Sequence, residues 1–430
     1  MPDLHPKTLA RRAAMRALVA SEREAWTAGD FTTLGSDVRP FAREIYSGTL
    51  RHRARLDWTL APLLQKPLAK LDAPVRAALR LAQYEKIALQ TPDRALANEY
   101  ASLMKGEKLA SATGFVNAIT RRLSPDWRAS SDLSVEFSHP KWLVERYVER
   151  FGPNETAEIL RANNQIAPLC LRVNTLQTTR DEMLNQISGA TIGNLSPDAL
   201  LLERGDATAL PQWDKGQIIA QDEAAQLVSL LASPRAGDFV VDAASAPGGK
   251  TTHLAQIMGD AGRILALDSA PPRLEMVRDN ATRLGISCVE TRAGDFRSLA
   301  PQLERETGGA DVVLLDAPCL GTGTLRRRPD AKWRKTAAQL EQLLGLQREL
   351  LDAAAPLVKV GGALVYATCS LEIEENQGQI EAFLARFPHY EIELAPAFLA
   401  PAATQEGFLN TYPHRHGTDG MFAAKLRRRA

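Results

Sequence analysis

Five short apolar runs in the C-terminal half each lead into a group that can do chemistry. Phe239–Asp242 ends in Asp242 and Arg263–Asp268 in Asp268, while Cys288–Arg292 is followed by Gly294-Asp295. Asp311–Asp316 continues into Ala317-Pro318-Cys319, and Ala363–Thr368 into Cys369-Ser370. A hydrophobic core needs no acid or thiol at any of these ends. Helical patterns fill the gaps between the runs, and strands alternating with helices predict a parallel sheet covered on both faces. Ligands of such sheets bind beyond the carboxyl ends of the strands, which is where these groups collect.

The ligand follows from what fits and what fails. After Asp242 the chain reads Ala243-Ala244-Ser245-Ala246-Pro247-Gly248-Gly249-Lys250-Thr251. The two glycines let backbone come close to a ligand, and their amides open a helix. Asp268 lies about 20 residues on, where a carboxylate can accept hydrogen bonds from ribose hydroxyls. Asp295 can read an adenine amino group in the same way. Gly249-Lys250-Thr251 ends like a phosphate-binding loop, but that loop needs a glycine five positions before its last, and position 244 is Ala. The dinucleotide pattern GxGxxG is absent too. An adenosine ligand without a phosphate cradle remains, and S-adenosyl-L-methionine fits that description.

The thiols are the sharper clue. A lone buried cysteine is ordinarily inert filler, but Cys319 and Cys369 follow the fourth and fifth runs directly. Pro318 and Gly321-Thr322-Gly323 turn the backbone beside Cys319, which favours its exposure to the pocket. These residues alone do not rank the two thiols, because an enzyme of the DNA cytosine type attacks with a Pro-Cys thiol and would use Cys319. An amino-methyltransferase would carry Asp/Asn-Pro-Pro-aromatic after the fourth run, which Asp316-Ala317-Pro318-Cys319 does not match. A non-catalytic RNA-binding assembly factor has no need of both cysteines and Asp316. Cys170 and Cys288 are expected to be buried. No CxxC pair exists, and His253, His414 and His416 lack ligand spacing, so no metal is expected.

The rest of the 430-residue chain must position this edge. Hydrophobic residues make up 45% and charged residues 24%, which excludes disorder or a fibrous repeat as the main theme. No run of about 18 apolar residues suggests a membrane span. The amino terminus lacks a secretory core, and Asp3, Glu22 and Glu24 argue against a transit peptide, so a cytoplasmic location is expected. The net charge of +1 hides an asymmetry. Residues 1–130 carry 21 Lys and Arg against 13 Asp and Glu, net +8, and the remainder 31 against 38, net −7. A basic module on an acidic one suggests a polyanion partner. Apolar spacing predicts helices over Thr8–Ala25, Val38–Leu50, Leu56–Leu64, Val75–Leu89 and Ala112–Leu123, punctuated by prolines. Ser124–Ser134 is a linker. Residues 140–235 mix helices (Lys141–Phe151, Glu155–Asn163) with strands (Leu169–Val173, Ala199–Leu202, Ile218–Ala220), as in a small α+β subdomain. Arg326-Arg327-Arg328, Lys332, Arg334 and Lys335, with Trp333 among them, form a basic stretch suited to RNA backbone and stacking. Lys425 and Arg427–Arg429 are expected to form a solvated tail.

These residues match a family. Asp316–Gly323, Thr368-Cys369-Ser370 and Ala246–Lys250 resemble the Sun-type (Nop/Sun) RNA cytosine-5-methyltransferases. The likeness extends to Arg172-Val173-Asn174-Thr175, Gln221-Asp222-Glu223-Ala224, Arg328-Pro329-Asp330 with Trp333-Arg334, and His416-Gly417-Thr418-Asp419-Gly420. The first 125 residues resemble the NusB-type fold through Gly48–Arg53, Val75-Arg76 with Leu79-Arg80-Leu81, and Gly114–Asn117. Joined, these two parts are the layout of bacterial enzymes that methylate 16S ribosomal RNA. The resemblance implies an all-α domain over 1–128, an α+β RNA-binding or linker subdomain over 135–235, and a Rossmann-like class I methyltransferase domain over 236–430, acting as a monomer. It assigns Cys369 as nucleophile, Cys319 as helper in product release and Asp316 as catalytic partner. It also implies a cofactor set of Ala244, Ser245, Ala246, Pro247, Gly248, Gly249, Lys250, Asp268, Arg273, Asp295 and Asp316. Ala244 and Ser245 stand where relatives often carry Cys and Ala, and Leu320 where many carry Ser.

Overall fold

The computed structural model describes residues 5–22, 29, 31–107 and 109–430. Two compact units emerge: Met1–Asn164 with Arg328–Lys335, and Gln165–Arg327 with Thr336–Ala430. The first is helical. Its helices are Pro6–Ser21, Arg39–Arg51, Arg53–Leu60, Ala73–Ala88, Asp93–Gly106, Thr113–Thr120, Leu133–Glu136 and Lys141–Asn163. Proline stands in the first turn at Pro6, Pro40 and Pro74, where its missing N–H costs nothing. The expected helix Thr8–Ala25 is helical as far as Ser21, while residues 23–25, Glu24 among them, lie outside the described residues, as does Asp3. Ala14, Ile45, Leu56, Leu79, Tyr100 and Leu103 are wholly buried in one core. Inside it, Glu85 receives Arg11 at 2.7 Å and the Tyr100 hydroxyl at 2.6 Å. Gly152, at φ 74°, breaks Lys141–Asn163 where two separate helices were expected.

The basic stretch after Cys319 corrects the RNA-binding expectation at Lys332, Trp333 and Arg334, while Arg328 is exposed as that expectation requires. The second half of the stretch belongs to the helical unit. Lys332 is fully buried, and its Nζ donates to Arg51 O (3.1 Å), Ser138 O (3.1 Å) and Asn164 Oδ1 (2.8 Å). Arg51 is the last residue of its helix, so the ammonium takes up a carbonyl the helix leaves open. Burial, and then the Arg51 guanidinium, push the Lys332 amine well down. Trp333 Nε1 donates to Leu50 O at 2.7 Å, and the Arg53 guanidinium lies 5.0 Å from the ring centre. Arg334 pairs with Asp330. An ammonium that replaces its water with three acceptors and an indole held at its N–H are built-in supports, not an RNA surface.

The second unit carries two sheets. The smaller joins β1 (Leu169–Val173), β2 (Thr191–Ile192), β3 (Ala199–Leu202) and β4 (Ile218–Ala220) in the order β2-β3-β1-β4, all antiparallel. The larger holds β5 (Phe239–Asp242), β6 (Arg263–Asp268), β7 (Val289–Ala293), β8 (Ala310–Asp316), β9 (Val358–Thr368), β10 (Tyr390–Glu393), β11 (Leu409–Thr411) and β12 (Met421–Arg428). Its order is β10-β12-β9-β8-β5-β6-β7, with β11 on β12. β5 to β9 are mutually parallel as expected, but β12 pairs antiparallel with β9, β10 and β11, so the sheet is mixed. The expected basic tail is strand β12 instead. Phe422, Ala424 and Leu426 enter one core, and buried Lys425 pairs with Glu393 at 3.0 Å.

Candidate functional site

The carboxyl ends of β5, β6, β8 and β9 converge as the sequence implied. β5 lies between β6 and β8, so Asp242 is central and almost wholly buried. Its Oδ2 accepts Thr251 Oγ1 at 2.7 Å, while Oδ1 has no protein partner. Burial, then the nearby Asp316 charge, raise its carboxyl to about 6. The turn after it contains a cis Ala246-Pro247 bond. Ser245 ties the turn to β6 through its N and Oγ, which donate to Leu267 O at 2.8 and 2.9 Å. Gly248 has φ 98°, and a Cβ there would meet Val277 Cα at 3.1 Å. Glycine is therefore required for both conformation and space.

Two cavities lie along this edge, with Ala244 in the wall of each. One, of about 220 Å³, is lined by Asp268, Asp295, Phe296, Pro318, Leu346 and Leu350, among others. Asp268 Oδ1 accepts Ala270 N at 2.9 Å, and Oδ2 faces Arg273 at 3.4 Å. Arg273 also reaches Ala246 O at 3.2 Å, so it ties the end of β6 to the turn. Asp295 caps the helix Phe296–Thr307, and the Arg297 side chain that bonds it holds its carboxyl below the usual range. The second cavity, about 170 Å³, reaches Gln221, Asp242, Lys250 and Asp316. Lys250 Nζ donates to Asp316 Oδ2 at 2.6 Å. Burial pulls the ammonium down, but Asp316 outweighs it and the net shift is upward.

The two sulfurs meet, with Cys319 Sγ 3.4 Å from Cys369 Sγ and both side chains half-buried. The hydrogen bond between them lowers the Cys369 thiol, with the Lys250 charge acting the same way against burial and Asp316. The same bond, burial, and the Glu375 and Asp316 charges raise Cys319. Both shifts favour Cys369 as the thiolate, the order the resemblance implied and the residues alone left open. Cys170 is buried as expected, whereas Cys288 is only half-buried.

The surrounding motifs hold this arrangement. Arg326 bonds Asp419 (2.7 Å), Gly417 O (2.8 Å) and Asp222 (3.1 Å), and Arg327 bonds the same two carboxylates. These arginines were expected at an RNA surface, and they instead clamp the loop after Cys319 to two other motifs. Gly323 N donates to Cys369 O at 3.0 Å, and a Cβ on Gly323 would lie 2.0 Å from Gly420 O. Fully buried Arg172 on β1 donates to Gly249 O (2.6 Å) and Thr252 (2.9 Å), fixing the glycine turn from the smaller sheet. Sequence reasoning placed Asp242 at the ligand edge but left it out of the cofactor set, and it missed the Lys250–Asp316 pair, Gln347, Glu375 and Asn376. A visible signal for the last two was the polar run Glu374-Glu375-Asn376 just after Cys369. His253 donates or accepts at Asp198 (3.2 Å), and burial holds it neutral at about 4. Among the described residues no group of His, Cys, Asp and Glu could hold a metal ion. Nor is any described helix long and apolar enough to cross a membrane.

Three family models match: 16S rRNA methyltransferase RsmB/F over residues 228–427, the NusB family over 8–125, and the Methyltr_RsmF/B-like ferredoxin-like domain over 139–208. A probable ribosomal RNA small subunit methyltransferase B of Bacillus subtilis is 33% identical over 413 residues, 92% of each chain. Ribosomal RNA small subunit methyltransferase B of Sodalis glossinidius is 36% identical over 402 residues, 91% of this chain and 90% of that one. The crystal structure of PH0851 superposes at a TM-score of 0.80 with 29% identity, over 99% of each chain.

Proposed function

Because the chain belongs to the RsmB/F family of 16S rRNA methyltransferases, we propose that it methylates carbon 5 of a cytidine in 16S ribosomal RNA through a covalent bond to Cys369. The observation that carries this reading is the pair of sulfurs 3.4 Å apart beside the Lys250–Asp316 pair. Neither amino methylation nor ribose methylation needs two thiols there.

S-adenosyl-L-methionine supplies the methyl group as an electrophilic sulfonium. The cavities suit it: carboxylates at Asp268 and Asp295 would repel a phosphate yet accept from ribose hydroxyls and an adenine amine, and Leu346, Leu350 and Phe296 offer apolar walls. Asp268 and Asp295 would hold the nucleoside. Ala244–Lys250 would line the path toward Asp316, with Arg273 steadying Asp268 and the turn.

Cys369, as thiolate, adds to carbon 6 of the ring. A proton passed from the Lys250 ammonium through Asp316 to nitrogen 3 neutralises the negative charge that develops on the ring. Carbon 5 then takes the methyl group. Loss of the carbon 5 proton to a base lets the carbon–sulfur bond break, returning the electron pair to Cys369. Cys319, with its sulfur 3.4 Å away, would donate its S–H to the departing sulfur and so assist that release. Residues 1–128 would help hold RNA, on the strength of their net +8 and the NusB match. The 135–235 subdomain would link them to the catalytic domain at 236–430.

The test is a denaturing gel with S-adenosylmethionine and 16S RNA. Cys319→Ala should accumulate a protein–RNA adduct, and Cys319→Ala with Cys369→Ala should show none. An adduct in Cys369→Ala and none in Cys319→Ala would reverse the assignment.

A further inference from the structure

Two consecutive residues grip the backbone around the two cysteines, one for each. Glu375 and Asn376 follow Cys369 by six and seven positions and are buried, as is Gln347. Glu375 Oε1 accepts the N–H of Leu320 at 2.8 Å and Gln347 Nε2 at 2.9 Å. Gln347 Nε2 also donates to Pro318 O at 2.9 Å. The residues on either side of Cys319 are thus held by one carboxylate–amide pair. Asn376 does the same for Cys369: its Oδ1 accepts Thr368 Oγ1 at 2.5 Å, and its Nδ2 donates to Ser370 O at 2.9 Å. Tyr366 fixes the dipeptide itself, its hydroxyl donating to Glu375 O at 2.7 Å.

We propose that Glu375 and Asn376 are the positioning residues of the two-thiol site, Glu375 setting the Cys319 sulfur and Asn376 the Cys369 sulfur. Neither touches a reacting atom. Adjacent in sequence, they reference both sulfurs to one peptide unit, so the 3.4 Å separation survives movement of either loop. Buried polar groups must find partners, and an anchor that satisfies those on both flanks, backbone in each case except the Thr368 hydroxyl, leaves the cysteine between them little freedom. Glu375 has a second effect. Its charge is among those that raise Cys319, favouring the S–H form that release requires.

The inference rests on the division of labour between attack and release, and the experiment separates the two ideas. Spacing is read without RNA. Diamide removes one hydrogen from each thiol, forming a Cys319–Cys369 disulfide while it is itself reduced to a hydrazine, and intact mass reports the loss of two hydrogens. Glu375→Ala and Asn376→Ala should each slow that closure at least ~10-fold, because a misplacement near 1 Å costs about that much or more in proximity-driven reactions. With RNA the variants should diverge. Glu375→Ala should behave as a weak Cys319→Ala and accumulate adduct, whereas Asn376→Ala should form adduct slowly and accumulate none. Glu375→Gln keeps an acceptor for Leu320 and should restore release. Gln347→Leu, a milder change for use if Glu375→Ala is poorly folded, should slow closure less and accumulate some adduct. Closure at the native rate in both alanine variants overturns the proposal, and so does equal slowing of adduct formation and release by both. Slowed closure with no change in any RNA adduct upholds the positioning role and sinks the covalent reading instead.

Discussion

The two ends of the larger sheet treat charge in opposite ways. At the amino ends of its strands, a cavity of about 450 Å³ is lined by Arg235, Asp311, Glu393, Lys425 and Arg427, among others. It is wider than either cavity at the carboxyl ends. Its acids are well provided for: Asp311 receives Lys359 at 2.9 Å, and Glu393 receives Lys425 and Arg427. For both carboxyls burial pushes upward but the lysine and arginine partners win, so each lies below its ordinary value. At the carboxyl ends Asp242 keeps one oxygen without a protein partner and is raised to about 6 by burial and Asp316. Satisfied pairs make surface, and a carboxylate left short of partners beside Lys250 and Asp316 marks the candidate site. Cavity size would have pointed to the wrong end.

This contrast can be broken in graded steps. The largest effect is expected of Cys369→Ala, which should lower methylation at least ~10³-fold with cofactor affinity preserved, as loss of a nucleophile does. Radiolabelled methyl transfer and calorimetry measure the two quantities. Next is Lys250→Met, which removes the cation shared by Asp316 and Cys369. Turnover should fall about 10²–10³-fold, the usual cost of a lost charge-stabilising donor. The sign of the accompanying pH effect is fixed. Lys250 helps lower the Cys369 thiol, so without it the thiolate appears only at higher pH. Alkylation of Cys369 by iodoacetamide should then shift to a more alkaline midpoint, and an unshifted profile would remove Lys250 from the thiol's environment.

Asp268→Ala should weaken S-adenosylmethionine binding by about 1.5–3 kcal/mol, the cost of a hydrogen bond to a charged group. Unchanged affinity would place the ribose elsewhere. The smallest effect belongs to the opposite end. Glu393→Gln should change stability by only about 1 kcal/mol, as partly exposed pairs do, and leave turnover untouched. A large loss of activity there would mean the amino end is not merely structural.

The sequence carried the parallel half of the sheet because β5, β6 and β8 are largely apolar runs that each end in an aspartate. Val240, Val241, Leu314 and Leu315 could sit nowhere else than in a doubly covered sheet. β12 escaped notice because Lys425 and Arg427 look like solvent-seeking residues. Only Glu393, 32 positions upstream of Lys425, makes them strand residues. The same limit explains Arg326, Arg327 and Lys332. Residue type announces a positive charge, but whether it meets a phosphate, a buried carboxylate or a carbonyl depends on residues far away in the chain, such as Asp419 and Arg51. Of the site, the cofactor turn and both thiols were legible from spacing. An order between the sulfurs came only from the resemblance, because the Lys250 and Glu375 charges that act on them cannot be paired with either from spacing.

The lysine embedded in the helical unit bears on how the polypeptide matures during translation. Arg51, Ser138 and Asn164 leave the ribosome long before their common partner: Lys332 lies 168 residues beyond Asn164. At about 5–20 residues per second that interval is roughly 10–30 s. Through it the nascent helices hold a vacant seat for a side chain not yet synthesised. The helical unit can reach its final form only after about half of the catalytic domain has emerged, so the first part of the chain to be made is not the first to be completed.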